Sequence, residues 1–221
     1  ADIAAVKIID NSLVETGVGL HEIKDTYVMR GEVKDNYLKF NGNTYRIVRI
    51  NSDGTIRIME QKGLIQKVWD DRYNIENSNN SGINEYEYNS LNSRIRDTLI
   101  EYYLDSKTWP DEIKQYITTQ TLCIGKRTKA DITKDGSTEC SKVMENEAFG
   151  LLSIYEFLQA SLDANCSYTN DGNCRNYNWI SNLKNSTWSI TANAEDNRTA
   201  YLINGIPKVS TCSSMAGTLA V

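Results

Sequence analysis

The sequence predicts an α+β fold: an N-terminal amphipathic helix packed on an antiparallel meander, followed by a second half that again sets a helix against a small antiparallel sheet. Three observations carry this expectation. Ile3, Val6, Ile9 and Leu13 recur at helical spacing. Three strand-like runs between Asn36 and Glu60 are separated by Asn41-Gly42 and by Asn51–Gly54, residues that tolerate positive φ and so make hairpin turns. A helical pattern followed by short strand patterns returns over 153–210. The expected division is 1–88, helix and meander, and 89–221, linking helices and the second α+β half.

The first helix should span Asp2–Thr16, with Asp2 as N-cap, Ala5 and Ile8 widening the apolar stripe, and Gly17 and Gly19 ending it. The chain begins inside this pattern without an initiator Met or a signal peptide, so a processed or truncated form is expected. The meander follows as 36–40, 44–50 and 55–60. In its middle strand Tyr45, Ile47 and Arg49 alternate with Arg46, Val48 and Ile50, leaving at least one apolar face for the helix to cover. The Asn-rich stretch 70–90 reads as a long surface loop. Ser90 would cap a helix over 91–104, and Pro110 opens a shorter one with Asp111 and Glu112 at its positive end. Ser153 and Glu156 form a capping-box pattern ahead of a helix over 154–163. Short strands are expected around 178–180 and 187–191. A hairpin 199–203/206–210 should turn at Asn204-Gly205, with Pro207 marking an edge.

Composition removes several function classes. A chain of 221 residues, 40% hydrophobic and 24% charged, can bury a core. A net charge of −5 with no basic run argues against nucleic acid as a partner. No apolar run is long enough to cross a bilayer. One histidine, His21, makes a Ser-His-Asp triad or a multi-His zinc centre an unlikely design. The sequence holds no G-x-S-x-G, H-E-x-x-H, P-loop or G-x-G-x-x-G. Asp70/Asp71 and Glu85/Glu87 read as solvated carboxylate pairs, and Ser167–Cys174 has the composition of a calcium loop without its alternating ligands. No enzymatic activity is expected. The 23 Asn residues suit turns and a wet surface.

All five cysteines lie in the second half. Cys123 and Cys140 bracket one polar loop and Cys166 and Cys174 another, so two local disulfides with an odd Cys212 are expected, implying an oxidising, extracellular setting. The alternative is a structural metal site, with zinc drawing Cys212 together with thiols such as Cys123 and Cys140 and a carboxylate or His21. No cofactor is otherwise required. Tyr177, Trp179 and Trp188 lie among amides and are candidates for an interaction surface, since aromatic side chains stack on sugars and anchor protein contacts.

The segment DIAAVKIIDNSLVET, the short loop after it and the meander KFNGNTYRIVRINSDGTIRIM, in that order, resemble the soluble part of a type IV pilin. The Ile-, Asn-, Lys- and Tyr-rich composition, with TLCIGK, FGLLSIYEFLQAS and CRNYNWI, is similar to that of clostridial Gram-positive minor pilins built from two pilin-like halves. The resemblance implies a structural subunit of an extracellular pilus. It would assemble with other pilin subunits through Ile3, Val6, Ile9 and Leu13, expose its C-terminal half for adhesion to a host surface or glycan, and carry structural zinc as an option. Membrane contact would come only through a missing N-terminal segment. The pilin mark itself, a Gly-Phe cleavage site with Glu at the fifth mature position, is absent. The second expectation is a secreted carbohydrate-binding, C-type-lectin-like surface module.

Overall fold

The computed structural model describes residues 3–221. In chain order the elements are α1 (Ile3–Ser12), β1 (Gly19–Ile23), β2 (Thr26–Arg30), β3 (Tyr37–Phe40), β4 (Asn43–Ile50), β5 (Ile56–Glu60), β6 (Gln66–Lys67), β7 (Glu87–Tyr88), β8 (Leu91–Asn92), α2 (Arg94–Leu104) and α3 (Asp111–Lys114). They continue with β9 (Gln120–Cys123), β10 (Lys126–Arg127), β11 (Val143–Glu147), α4 (Ile154–Ala160), β12 (Thr187–Asn193), β13 (Thr199–Asn204), β14 (Ile206–Thr211) and β15 (Gly217–Thr218).

The first sheet is built on β4. Its edges pair with β2 and β3 on one side and β5 on the other, and β1 extends the sheet beyond β2. The β3–β4 turn is Asn41-Gly42 with φ of 46° and 74°, the two-residue turn whose twist matches that of the strands. The β1–β2 hairpin was not foreseen. It turns at Lys24-Asp25, with Lys24 at φ 58°, a pair without a strong turn signature. The second sheet runs β14-β13-β12-β15-β6, with β10 parallel to β12. Pro207 lies in β14, which forms the edge of that order.

Two hydrophobic clusters meet at β13. Tyr201 and Ile203 belong to one and Ala200 and Leu202 to the other, as the two-residue period of a strand requires. The first cluster joins β4 residues Ile47, Val48 and Ile50 to Phe157 and Leu158 of α4. The second gathers Trp69, Tyr86, Ile95, Leu99 and Trp188. Both draw on residues from along the chain.

The pilin-like layout is overturned. The described helices are short, α2 being the longest at 11 residues, and none is long and apolar enough to cross a membrane. The structure is an α+β fold of short helices and several small sheets, not a helix-on-meander unit twice over. α1 has ten residues and packs sideways on the first cluster through Ala5, Ile8 and Ile9. Within the proposed assembly stripe Val6 and Leu13 stay 43% and 47% exposed, Ile9 is part of the core contact, and the side chain of Ile3 lies outside the described residues, as does Asp2. The buried face is the 5/8/9 row, because Ala5 is small enough to bring the helix close to the sheet. The stripe therefore does not act as one face, and a ten-residue helix is too short to serve as a filament spine.

Other boundaries move for local reasons. Asn89 and Ser90, at φ 50° and 63°, turn the small β7–β8 hairpin, so Ser90 does not cap α2. Ser93 does, its Oγ accepting from the Arg96 N–H at 3.3 Å. The predicted strand at 178–180 is a 3-10 turn, Trp179–Asn182. The stretch 70–90 is a surface loop, with Tyr73 and Ile75 exposed, but it is pinned by buried polar residues: Asp70 and Asn84 are fully buried and Asn74 is 2% exposed. Its carboxylate and amides replace water as partners for the backbone, the Asn84 Nδ2 reaching the carbonyls of Asn193, Asp196 and Thr199.

Candidate functional site

The residues singled out in the sequence occupy separate places. Cys123 is joined to Cys140 and Cys166 to Cys174, and Cys212 is a free, buried thiol. His21 lies in β1 with Nε2 on the Gly17 carbonyl at 2.6 Å. Among the described residues no group of three or more His, Cys, Asp or Glu could hold a metal ion. Trp179 and Trp188 are interior residues whose indole N–H groups donate to the carbonyls of Met29 (3.1 Å) and Lys67 (2.8 Å). Tyr177 is exposed, so the three aromatics do not make one surface.

A groove of about 720 Å³ opens elsewhere, between the first sheet and the middle of the chain. Its floor follows from strand register. Leu38 of β3, Tyr45 of β4 and Glu60 of β5 stand abreast, and Arg49 of β4 stands beside Arg57 of β5. Directly opposed residues point to the same face, so Leu38, Tyr45 and Glu60 form one group and Arg49 and Arg57 another, separated by the register shift between Ile47 and Arg49, and all five residues line the groove.

The aromatic wall gathers around Trp109, in the chain after α2, with rings from α2, β3 and the segment after β11. Trp109 sits at its centre, its ring 5.6 Å from Tyr102 edge-on, 5.1 Å from Phe149 and 6.1 Å from Phe40 in a stacked arrangement. These are the separations at which aromatic rings attract. The Asn41 side chain, at the β3–β4 turn, donates to the Thr108 carbonyl at 2.8 Å and ties the sheet to this wall. Tyr116, 71% exposed, stands at the rim.

The groove's polar groups are incompletely paired. The Tyr45 hydroxyl, the Arg49 Nε–H and the Trp109 Nε1–H are buried and have no hydrogen-bond partner. The residues are 4%, 9% and 3% exposed. The Trp109 N–H lies near enough to the Tyr102 hydroxyl to counter a little of the rise in its pKa, without an aligned bond. Glu60 accepts only a long 3.5 Å contact from Tyr102, and burial raises its pKa above the ordinary carboxylate value. Burial, then the nearby Glu60, raises Tyr45, and the Asn43 side chain, close to its hydroxyl without an aligned bond, counters a little of that rise. Leaving buried donors unpaired costs about 1–3 kcal/mol each, and the three residues that carry them all line this groove.

At the other end Arg57 Nε lies 2.9 Å from Glu156 Oε1, and Arg49 Nη1 donates to the Tyr155 hydroxyl at 2.9 Å. Glu156 is held by α4's capping box, its Oε2 accepting from the Ser153 N–H at 2.9 Å. Trp109, Tyr102 and Glu60 were not among the site candidates read from the sequence, Tyr102 being read as part of the apolar face of the 91–104 helix. The one available signal was Arg49, which breaks an otherwise apolar row with Ile47. The chain matches no protein-family model, no curated protein and no solved structure.

Proposed function

We propose that this protein is a secreted, disulfide-bonded carbohydrate-binding module of lectin-like build, with the groove between the first sheet and Trp109 as its ligand site. One observation carries the reading: Tyr45, Trp109 and Arg49 each hold a buried, unpartnered hydrogen-bonding group, and all three line the same groove. Sugars present hydroxyls that donate and accept, together with apolar C–H faces. A groove with aromatic walls and a few unfilled polar positions suits that chemistry. Two disulfides support an extracellular setting, because they persist outside the reducing cytosol.

The test is a glycan array followed by titration calorimetry. Trp109→Phe keeps an aromatic ring and removes the N–H. Tyr45→Phe removes only a hydroxyl. Each is expected to weaken binding about tenfold, and Tyr45→Phe, which removes an unpaired buried group, is expected to hold or raise the melting temperature. No saccharide binding at millimolar concentration across a broad panel would falsify the reading.

A further inference from the structure

The groove carries more charge chemistry than a neutral sugar requires. Arg49 and Arg57 are register partners on adjacent strands, where like charges repel unless an anion lies between them. The anion present is Glu156 Oε1, 2.9 Å from Arg57 and 3.9 Å from Arg49. Its other oxygen is committed to the N–H and hydroxyl of Ser153. Two guanidinium charges therefore share one carboxylate. Arg49 spends its Nη groups on Tyr155 and Gln159, neither of which supplies a charge, and its Nε has no acceptor.

Among the described residues no carboxylate other than Glu156 pairs with Arg49 or Arg57. Lys39 adds a cation to the lining. Glu147 pairs with Arg96 at 2.7 Å, a guanidinium that Glu87 contacts as well. Glu60 stands on the Tyr102 side of the floor. Asp53 is turned onto Thr55 and Gln120. The arginine end thus holds one positive charge more than Glu156 neutralises, in surroundings that exclude much of the water, where charge-assisted hydrogen bonds are strong.

Resting on the carbohydrate reading above, we propose that the ligand is an acidic saccharide, a chain containing uronic-acid-type sugars, whose carboxylate is received at Arg49 and Arg57 while the adjoining sugar extends toward Trp109. The Arg57 side chain is 25% exposed, with Nε on Glu156 and Nη2 on the Leu151 carbonyl, and the Arg49 side chain is 11% exposed. A neutral sugar can fill the unpaired hydrogen bonds, but it leaves the surplus charge unanswered.

The experiment is titration calorimetry on the intact chain with oligogalacturonate and hyaluronan oligosaccharides, each compared with its methyl ester, at two salt concentrations. The free acid of at least one is expected to bind about tenfold more tightly than its ester. The preference should shrink as salt rises and be lost in Arg57→Gln, with the melting temperature of the variant recorded alongside. The acid–ester comparison on the unaltered protein stands even if the variant misfolds. Equal binding of acids and esters, or binding of neutral glycans alone, overturns the acidic-ligand assignment and leaves the carbohydrate reading intact. Glutarate binding as tightly as the acidic sugars, or no saccharide binding at all, overturns both.

Discussion

Asp70 and Arg72 form a buried ion pair, with Arg72 Nε 2.9 Å from both carboxylate oxygens of Asp70. The same carboxylate accepts the Ile83 N–H at 2.7 Å, while the Arg72 guanidinium reaches the carbonyls of Ile83, Glu85 and Leu91. The pair thereby organises a polar stretch that has few apolar side chains of its own to bury. Asp70→Ala leaves the arginine without its counter-charge and is expected to cost about 3–5 kcal/mol, read from urea unfolding. A loss below about 1 kcal/mol would mean that the carbonyls alone hold Arg72.

Gly82 lies against this pair at φ +84°, and a Cβ there would come within 2.4 Å of the Asp70 carbonyl oxygen and 2.8 Å of Cys212 Cβ. Backbone cannot yield as a flexible side chain can. Gly82→Ala should destabilise by about 2–4 kcal/mol, whereas Gly172→Ala, with open space around it, should change unfolding far less.

The cysteines should behave as two classes. Burial, then the nearby Asp70, pushes the Cys212 thiol pKa up, so the native protein is expected to show no thiol reactive at neutral pH and the unfolded protein one. The disulfides close separations of 17 and 8 residues. Replacing Cys123 and Cys140 by Ser should cost about 3 kcal/mol and replacing Cys166 and Cys174 about 2.5 kcal/mol on the loop-entropy scale. A reversed order in chemical denaturation would show that packing around the 166–174 loop outweighs loop length.

Glu60 makes stability depend on pH. Burial raises its pKa in the folded state, so the folded protein keeps that proton to higher pH than the unfolded chain. Its contribution is therefore fully present below the unfolded value of about 4.3 and is lost as pH rises through the higher folded value. Glu60→Gln, which cannot ionise, should be more stable relative to the parent at neutral pH than at pH 4. Parallel stability curves across that interval would place Glu60 in a wetter environment than its position on the groove floor implies.

Much of the local structure was legible in the chain. Asn41-Gly42 specifies its turn because few residue pairs tolerate positive φ twice. Ser153 and Glu156 specify the start of α4 because both partners of the capping box lie within one turn. The 70–90 stretch misled only as to its buried residues, because polar composition is ordinarily a sign of solvation, and nothing in the run itself reveals that Asn84 will meet carbonyls from residues 193–199. The helical stripe misled in another way. Spacing identifies an apolar face but not the rotation at which a sheet will receive it, and Ala5 decided that.

The sequence by itself determined the Asn41-Gly42 turn, the capping box, the alternating strands of the meander and the polar loops bracketed by cysteines, because each depends on conformational preferences a few residues long. The groove was decided by tertiary structure alone. Tyr45 and Glu60 meet through strand register, Asn41 and Thr108 through a bond across 67 residues, and Arg57 and Glu156 through an ion pair between β5 and α4. Such juxtapositions arise only when distant elements pack together, and they carry the unpaired groups from which the proposed site is read.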